Sequence, residues 1–158
     1  MNLPASFIDY TRALLGNEEY EKLAVALQQE PPVSIRLNEK LGALSQNAGA
    51  AHSSFFIHHS SLNKVPWASG GYYLDERLTF TFDPLFHAGC YYVQEASSMF
   101  VEQVLRQYVS APVMMLDLCA APGGKSTHAR SVLPEGSLLV ANEVIRNRSQ
   151  VLAENLTK

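Results

Sequence analysis

Three things are scarce in this sequence. Only two cysteines occur in 158 residues, Cys90 and Cys119, and their spacing matches no disulfide or zinc framework. Free thiols in a reducing compartment are therefore expected. Long apolar runs are missing, so no transmembrane helix is expected. The opening, MNLPASFIDYTRALLG, has no basic stretch leading into an apolar one, which speaks against a secretory signal. Runs of positive charge are absent too. The twelve Lys and Arg residues are scattered and the net charge is −3, so composition does not point to nucleic acid. Metal ligation is not expected, because His52, His58, His59 and His87 have no ligand spacing to a cysteine.

What is present is a globular composition, 47% hydrophobic and 17% charged. Residues 4–15 read as a helix with Pro4 at its start and Gly16 at its end. A second helix is expected over 18–29, capped by Asn17, with Glu18 and Glu19 at its positive end and Leu23, Ala24, Ala26 and Leu27 as an apolar stripe. Pro31 and Pro32 end it. VSIRL (33–37), FFIHH (55–59) and GYYLD (71–75) read as strands. The small-residue stretch 41–54 reads as a weak helix running into a loop.

From residue 95 the pattern changes. Ala96, Phe100, Val101, Val104, Leu105 and Tyr108 have helical spacing over 95–108. Then follow a strand at 113–118, a helix at 123–133, a strand at 137–141 and a helix from 145. That order opens a parallel, doubly wound sheet. The expected fold is α/β: an N-terminal α+β module (1–80), then the opening portion of a Rossmann-like domain (81–158).

The most informative stretch is VMMLDLCAAPGGKSTHA, 113–129. An apolar strand ends at Asp117, a bend of small residues follows, and a helix begins. Gly123 and Gly124 permit close backbone approach, and the first helical N–H groups can hold an anionic group. Glu143 stands at the end of the next strand, nineteen residues after Gly124, where a carboxylate can accept from both hydroxyls of a ribose. A Walker loop is excluded because position 119 is Cys where glycine is required. CAAPGG does not match the dinucleotide pattern G-x-G-x-x-G either.

DLCAAPGGKST closely resembles the cofactor loop of the Nop/Sun family of RNA cytosine-5 methyltransferases. YYVQEASSM (91–99), SIRLN (34–38) and ANEVIRNRSQVLAENL resemble that family's flanking segments. VPWASGGYYL (65–74) is similar to its bacterial ribosomal RNA branch, the small-subunit methyltransferase F type. The likeness runs from about residue 31 onward and is poor over 39–64. It implies a cytoplasmic enzyme, an RNA substrate, ribosomal by that branch, and an N-terminal module that docks it. It implies that Cys119, Ala120, Ala121, Pro122, Gly123, Gly124 and Lys125 contact S-adenosylmethionine, with Glu143 on the ribose and Arg148 beside the same end. Family members carry the nucleophilic thiol in a Pro-Cys or Thr-Cys motif after later strands, and this sequence contains neither dipeptide. The chain is thus expected to be an N-terminal fragment that holds cofactor and lacks the nucleophile. A sheet stopped after two parallel strands leaves edges and an apolar face uncovered, so stabilisation by self-association through those edges or by partial disorder is expected. A non-catalytic RNA- or protein-binding module that keeps a cofactor-like loop is the other reading.

Several side chains carry a plain reading beside a sharp one. Asp117 either orients the loop by accepting nearby N–H groups or binds the donor's amino group. Arg36 is a phosphate contact or an exposed strand arginine. Trp67, Tyr72 and Tyr73 stack on bases or, more commonly for aromatics, pack in a core. Cys119 is expected as a small packed thiol, Cys90 as buried, and His128 on a helix face. Ser97 and Ser98 line a cleft or are small packing residues.

Overall fold

The computed structural model describes residues 3–38 and 63–158. The expected strand 55–59, the stretch 41–54 and His52, His58 and His59 fall outside them. The chain divides into two compact units, 1–31 and 32–158.

The first unit is a pair of helices, α1 (Ala5–Leu15) and α2 (Asn17–Ala26). Pro4, extended, caps α1. Gly16 closes it at φ +80°, a conformation that favours glycine, with its N–H on the Arg12 carbonyl (2.9 Å). The same glycine is the N-cap of α2, so Asn17 lies inside the helix and makes no capping bond. The expected cap fails because one residue joins the two helices and leaves no extended position for Asn17. Arg12 binds Glu21 (2.7 Å) and lies 4.5 Å from the centre of the buried Tyr20 ring. The expected stripe on α2 is half realised: Leu23 and Ala24 are partly buried, Ala26 and Leu27 exposed.

The second unit begins with a three-stranded antiparallel sheet ordered β2–β1–β3. Its strands are β1 (Val33–Leu37), β2 (Gly71–Leu74) and β3 (Tyr91–Val93). Ile35 sits opposite Tyr72 on one side and Val93 on the other. Ile35, fully buried, forms a core with Phe80 and Tyr91. A short helix, α3 (Pro84–His87), packs beside this core. Asp83 caps it by accepting from the Leu85 N–H (2.9 Å). A second cluster joins Val65, Ala68, Ala96 and Met99, with Trp67 and Tyr73 against it. Trp67 donates its Nε1 proton to the Ala96 carbonyl (2.6 Å). Core packing is thus the outcome for Trp67, Tyr72 and Tyr73.

The helix expected over 95–108 is two pieces. Ala96–Phe100 is a 3₁₀ helix, and α4 (Val101–Tyr108) continues it. A three-residue turn eclipses Ala96 and Met99, and both enter the same cluster. The parallel pair follows: β4 (Met114–Asp117), α5 (Gly124–Val132), β5 (Leu138–Ala141) and α6 (Arg146–Thr157). Met114 pairs with Leu138 and Asp117 with Ala141. Leu105, Ala129 and Leu133 pack from α4 and α5 against Met115 and Leu139. The other face of the pair, Met114, Leu116, Leu138 and Val140, is exposed. Among the described residues no helix is long and apolar enough to cross a membrane.

Candidate functional site

The bend between β4 and α5 is held in place residue by residue. Asp117 accepts from the Cys119 N–H (3.2 Å) and from the Ser126 hydroxyl (2.6 Å). The strand-end acceptor role expected of Asp117 is thus present, and it is compatible with a role toward the donor's amino group. Asn142, just past β5, donates its Nδ2 to the Leu118 carbonyl (3.0 Å), and its own carbonyl accepts from the Ala120 N–H (2.9 Å). Arg148 donates to the Ala121 carbonyl (2.8 Å), and Asn155 to the Pro122 carbonyl (2.8 Å). The Ala121–Pro122 peptide is cis. Ala120 and Ala121 are buried on Leu152 of α6.

Glu143 meets this loop through Arg148. One Glu143 oxygen accepts from the Ile145 N–H (2.9 Å) and the other lies 3.4 Å from the Arg148 guanidinium. Arg148 therefore touches both the bend and the strand-end carboxylate. The Glu143 side chain is only 4% exposed beneath it.

The two glycines are accounted for by this chain's own packing. Gly123 has φ +114°, and a Cβ there would stand 3.3 Å from Leu152 and Asn155. A Cβ on Gly124 would stand 3.1 Å from the Tyr92 ring. Sequence reading has no way to find these approaches, because all three neighbours lie on other elements. The first helical bond of α5 runs from the Thr127 N–H to the Gly123 carbonyl (2.8 Å). The N–H groups of Gly124, Lys125 and Ser126 precede it at the positive end of the helix. Lys125 is exposed at that end.

Both thiols depart from expectation. Cys119 is exposed rather than packed, since Ala120 and Ala121 occupy the space under the bend. Cys90 is half-buried; burial and, secondarily, Asp83 raise its pKa. Ser97 is exposed, and Ser98 turns back to the Glu95 carbonyl (3.0 Å).

A second polar cluster escaped sequence reading. His128 of α5 is buried, not on an open helix face. Its Nε2 contacts Glu102 of α4 (2.8 Å), which is buried as well. Glu102 also accepts from Arg106 (2.8 Å) and from the Ser69 N–H (3.2 Å). Burial lowers the His128 pKa, partly offset by Glu102. The Glu102 pKa is lowered as well: burial would raise it, and the donors His128, Arg106 and Ser69 together outweigh that. The imidazole is thus neutral at pH 7 and donates through Nε2. Arg36 is buried rather than exposed. It donates to Gln94 Oε1 (3.0 Å) and Thr127 Oγ1 (2.7 Å). No local signal marks Glu102 or His128, because i,i+4 spacing to Arg106 reads as an ordinary helix-surface pair.

Two family models match the chain in succession. Residues 3–96 match the family model described as the N-terminal domain of 16S rRNA methyltransferase RsmF. Residues 108–158 match that of 16S rRNA methyltransferase RsmB/F. Ribosomal RNA small subunit methyltransferase F of Pectobacterium atrosepticum is 32% identical over 99% of this chain, and that of Vibrio cholerae is 31% identical over all of it. The chain spans 33% of the length of each. A methyltransferase homologue from Pyrococcus horikoshii superposes with a TM-score of 0.67 at 25% identity, over 98% of this chain and 53% of that one. NSun6 from Pyrococcus horikoshii, solved with SFG, gives 0.65 at 17% identity, over 98% and 62%. The fold is that of the opening βαβα portion of a Rossmann-like methyltransferase domain, preceded by an α+β region.

Proposed function

Because the chain belongs to the 16S rRNA methyltransferase RsmF family, we propose that it is the S-adenosylmethionine-binding N-terminal part of an RNA cytosine-5 methyltransferase that acts on ribosomal RNA in the cytoplasm. One observation carries this reading. The bend 118–122 and the segment 142–155 are stitched together by Asn142, Arg148 and Asn155, and Arg148 touches both the Ala121 carbonyl and Glu143, which supports one cofactor reaching the turn and the carboxylate.

The residues present suit that cofactor. Glu143 supplies the acceptors a ribose diol needs, with Arg148 alongside to be displaced or shared. The positive end of α5 and Lys125 suit the carboxylate of the amino-acid moiety. Cys119, Ala120, Ala121, Pro122, Gly123 and Gly124 form the rigid wall between them. When bound, the cofactor supplies an electrophilic methyl group. This chain's part is to hold and orient it.

Residues 1–80 serve as the RNA-docking module and 81–158 open the methyltransferase domain. The chain alone does not methylate, since it has no Pro-Cys or Thr-Cys dipeptide. Copies associate through the uncovered edges of the β4–β5 pair and its open apolar face, whose Met114 is 88% exposed.

Calorimetry with S-adenosylmethionine tests the cofactor assignment. Wild type binds, and Glu143→Ala weakens binding about tenfold, or ~1.4 kcal/mol. Equal binding by both proteins removes the ribose role of Glu143, and no binding by wild type overturns the cofactor reading. Transfer of labelled methyl to ribosomal RNA by the isolated chain would overturn the assignment of inactivity.

A further inference from the structure

A cavity of about 320 Å³ opens between β1, α4 and α5, beyond the loop and Glu143. Its lining is unlike the rest of the chain. Three of the seven arginines, Arg36, Arg106 and Arg130, line it, against Glu102 alone of fifteen acidic residues. The net charge of the whole chain is −3, so this is a local reversal of sign. Glu102 pairs with Arg106 (2.8 Å) and offsets one of the three cations, so Arg36 and Arg130 leave the lining net positive. Thr127 and Ser131 also line it, their hydroxyls donating to the Gly123 carbonyl (2.8 Å) and the His128 carbonyl (2.7 Å).

The arginines divide the work. Arg36 is buried and fixed by Gln94 and Thr127, so it forms the base of the wall. Arg106 and Arg130 are exposed and reach the mouth from two packed helices. A lining that keeps an excess of guanidinium groups over its one acid suits the non-bridging oxygens of a phosphate.

We infer that this cavity is a phosphate-binding site that takes a backbone phosphodiester of the RNA strand. The inference rests on the RNA reading above for the source of the phosphate. It places a contact to the strand on the body that carries the cofactor loop, one turn along α5 from Gly124. A phosphate gripped there sets the register of the strand and carries no base information. Arg130 has a plainer role available, since a cation in the last turn of α5 also favours the helix dipole. That role affects stability and leaves RNA binding unchanged.

The test is fluorescence anisotropy of a short single-stranded oligoribonucleotide with the whole chain over a series of salt concentrations. Arg106→Gln and Arg130→Gln are each expected to weaken binding about fivefold near 0.1 M salt and to flatten the salt slope by about one counterion. Arg130→Lys keeps most of both. Arg77→Gln, an exposed cation outside the cavity, changes binding and slope by no more than any single surface charge. Thermal melts of all four variants accompany the series, and loss of RNA binding counts only for variants that melt as wild type does. Inorganic phosphate competes with the oligonucleotide in wild type and much less in Arg130→Gln. Wild-type affinity and slope in both glutamine variants, or equal loss in Arg77→Gln, would overturn the site. Phosphate binding without RNA binding would overturn the RNA strand as its source. S-adenosylmethionine calorimetry on the same proteins separates the two claims: its failure leaves the arginine result standing, and the reverse holds as well.

Discussion

The two sheets of the second unit are treated differently by their surroundings. In the antiparallel sheet the central strand β1 has Ile35 at 0% exposure, and Ser34 and Arg36 on its other face are buried and bonded. In the parallel pair, Met115 and Leu139 are covered while Met114, Leu116, Leu138 and Val140 are half exposed or more. Both strands of the pair are apolar on both faces, the composition of strands buried on both sides in parallel sheets. The antiparallel sheet therefore finds its cover within the described residues. The parallel pair carries a surface written for a cover and meets water on one side. Replacement of one apolar side chain by another kind should then be costly in the first sheet and nearly silent in the second.

Ile35→Ala should show the largest effect, a loss of about 3 kcal/mol in urea unfolding, because it removes a fully buried side chain from the centre of the core. A loss below ~1 kcal/mol would mean that the sheet is not the stable part of the unit. Glu102→Ala comes next. It strips the partner from buried His128 and from the Ser69 N–H, at a cost of about 2–3 kcal/mol.

The same cluster gives a pH dependence. His128 has its pKa depressed in the fold, so the unfolded chain takes up the proton more readily. Stability contributed by the neutral imidazole is full above the ordinary imidazole range and is lost as pH falls through it. Glu102, with a lowered pKa, loses its share only further down, below the ordinary carboxylate range. Denaturation midpoints should fall from pH 7 to 5, and His128→Asn should flatten that slope. An unchanged slope in the variant would place the titration elsewhere.

Ser126→Ala tests the tether from α5 to Asp117 and should cost about 1 kcal/mol by thermal unfolding, with weaker S-adenosylmethionine binding as the loop loosens. The smallest effect belongs to the open face. Leu116→Lys should change stability by less than ~0.5 kcal/mol, while sedimentation shifts toward monomer. A destabilisation comparable with that of Ile35→Ala would show that this face is covered after all.

Much of this was legible from residue order. The βαβα sequence, the bend after Asp117 and the acidic residue at the end of β5 follow from apolar periodicity and glycine placement, which are local. Strand β3 escaped that reading: Tyr91–Val93 is three residues long and gains its register only by pairing with β1. The split of the helix at Phe100 escaped for a like reason: Trp67 bonds the Ala96 carbonyl, and Val65 and Ala68 pack on Ala96 and Met99, all from outside the segment.

By itself, the sequence determined the family resemblance, the bend after Asp117 and the positions of Glu143 and Arg148 along the chain. Only the tertiary structure decided that Arg148 links Glu143 to that bend, that Tyr92, Leu152 and Asn155 press on the glycines, and that three scattered arginines share one cavity. The reason is range. Backbone preference and apolar period act over a few residues, whereas a salt link, a packing contact and a charge cluster join residues tens of positions apart and exist only once the chain has closed.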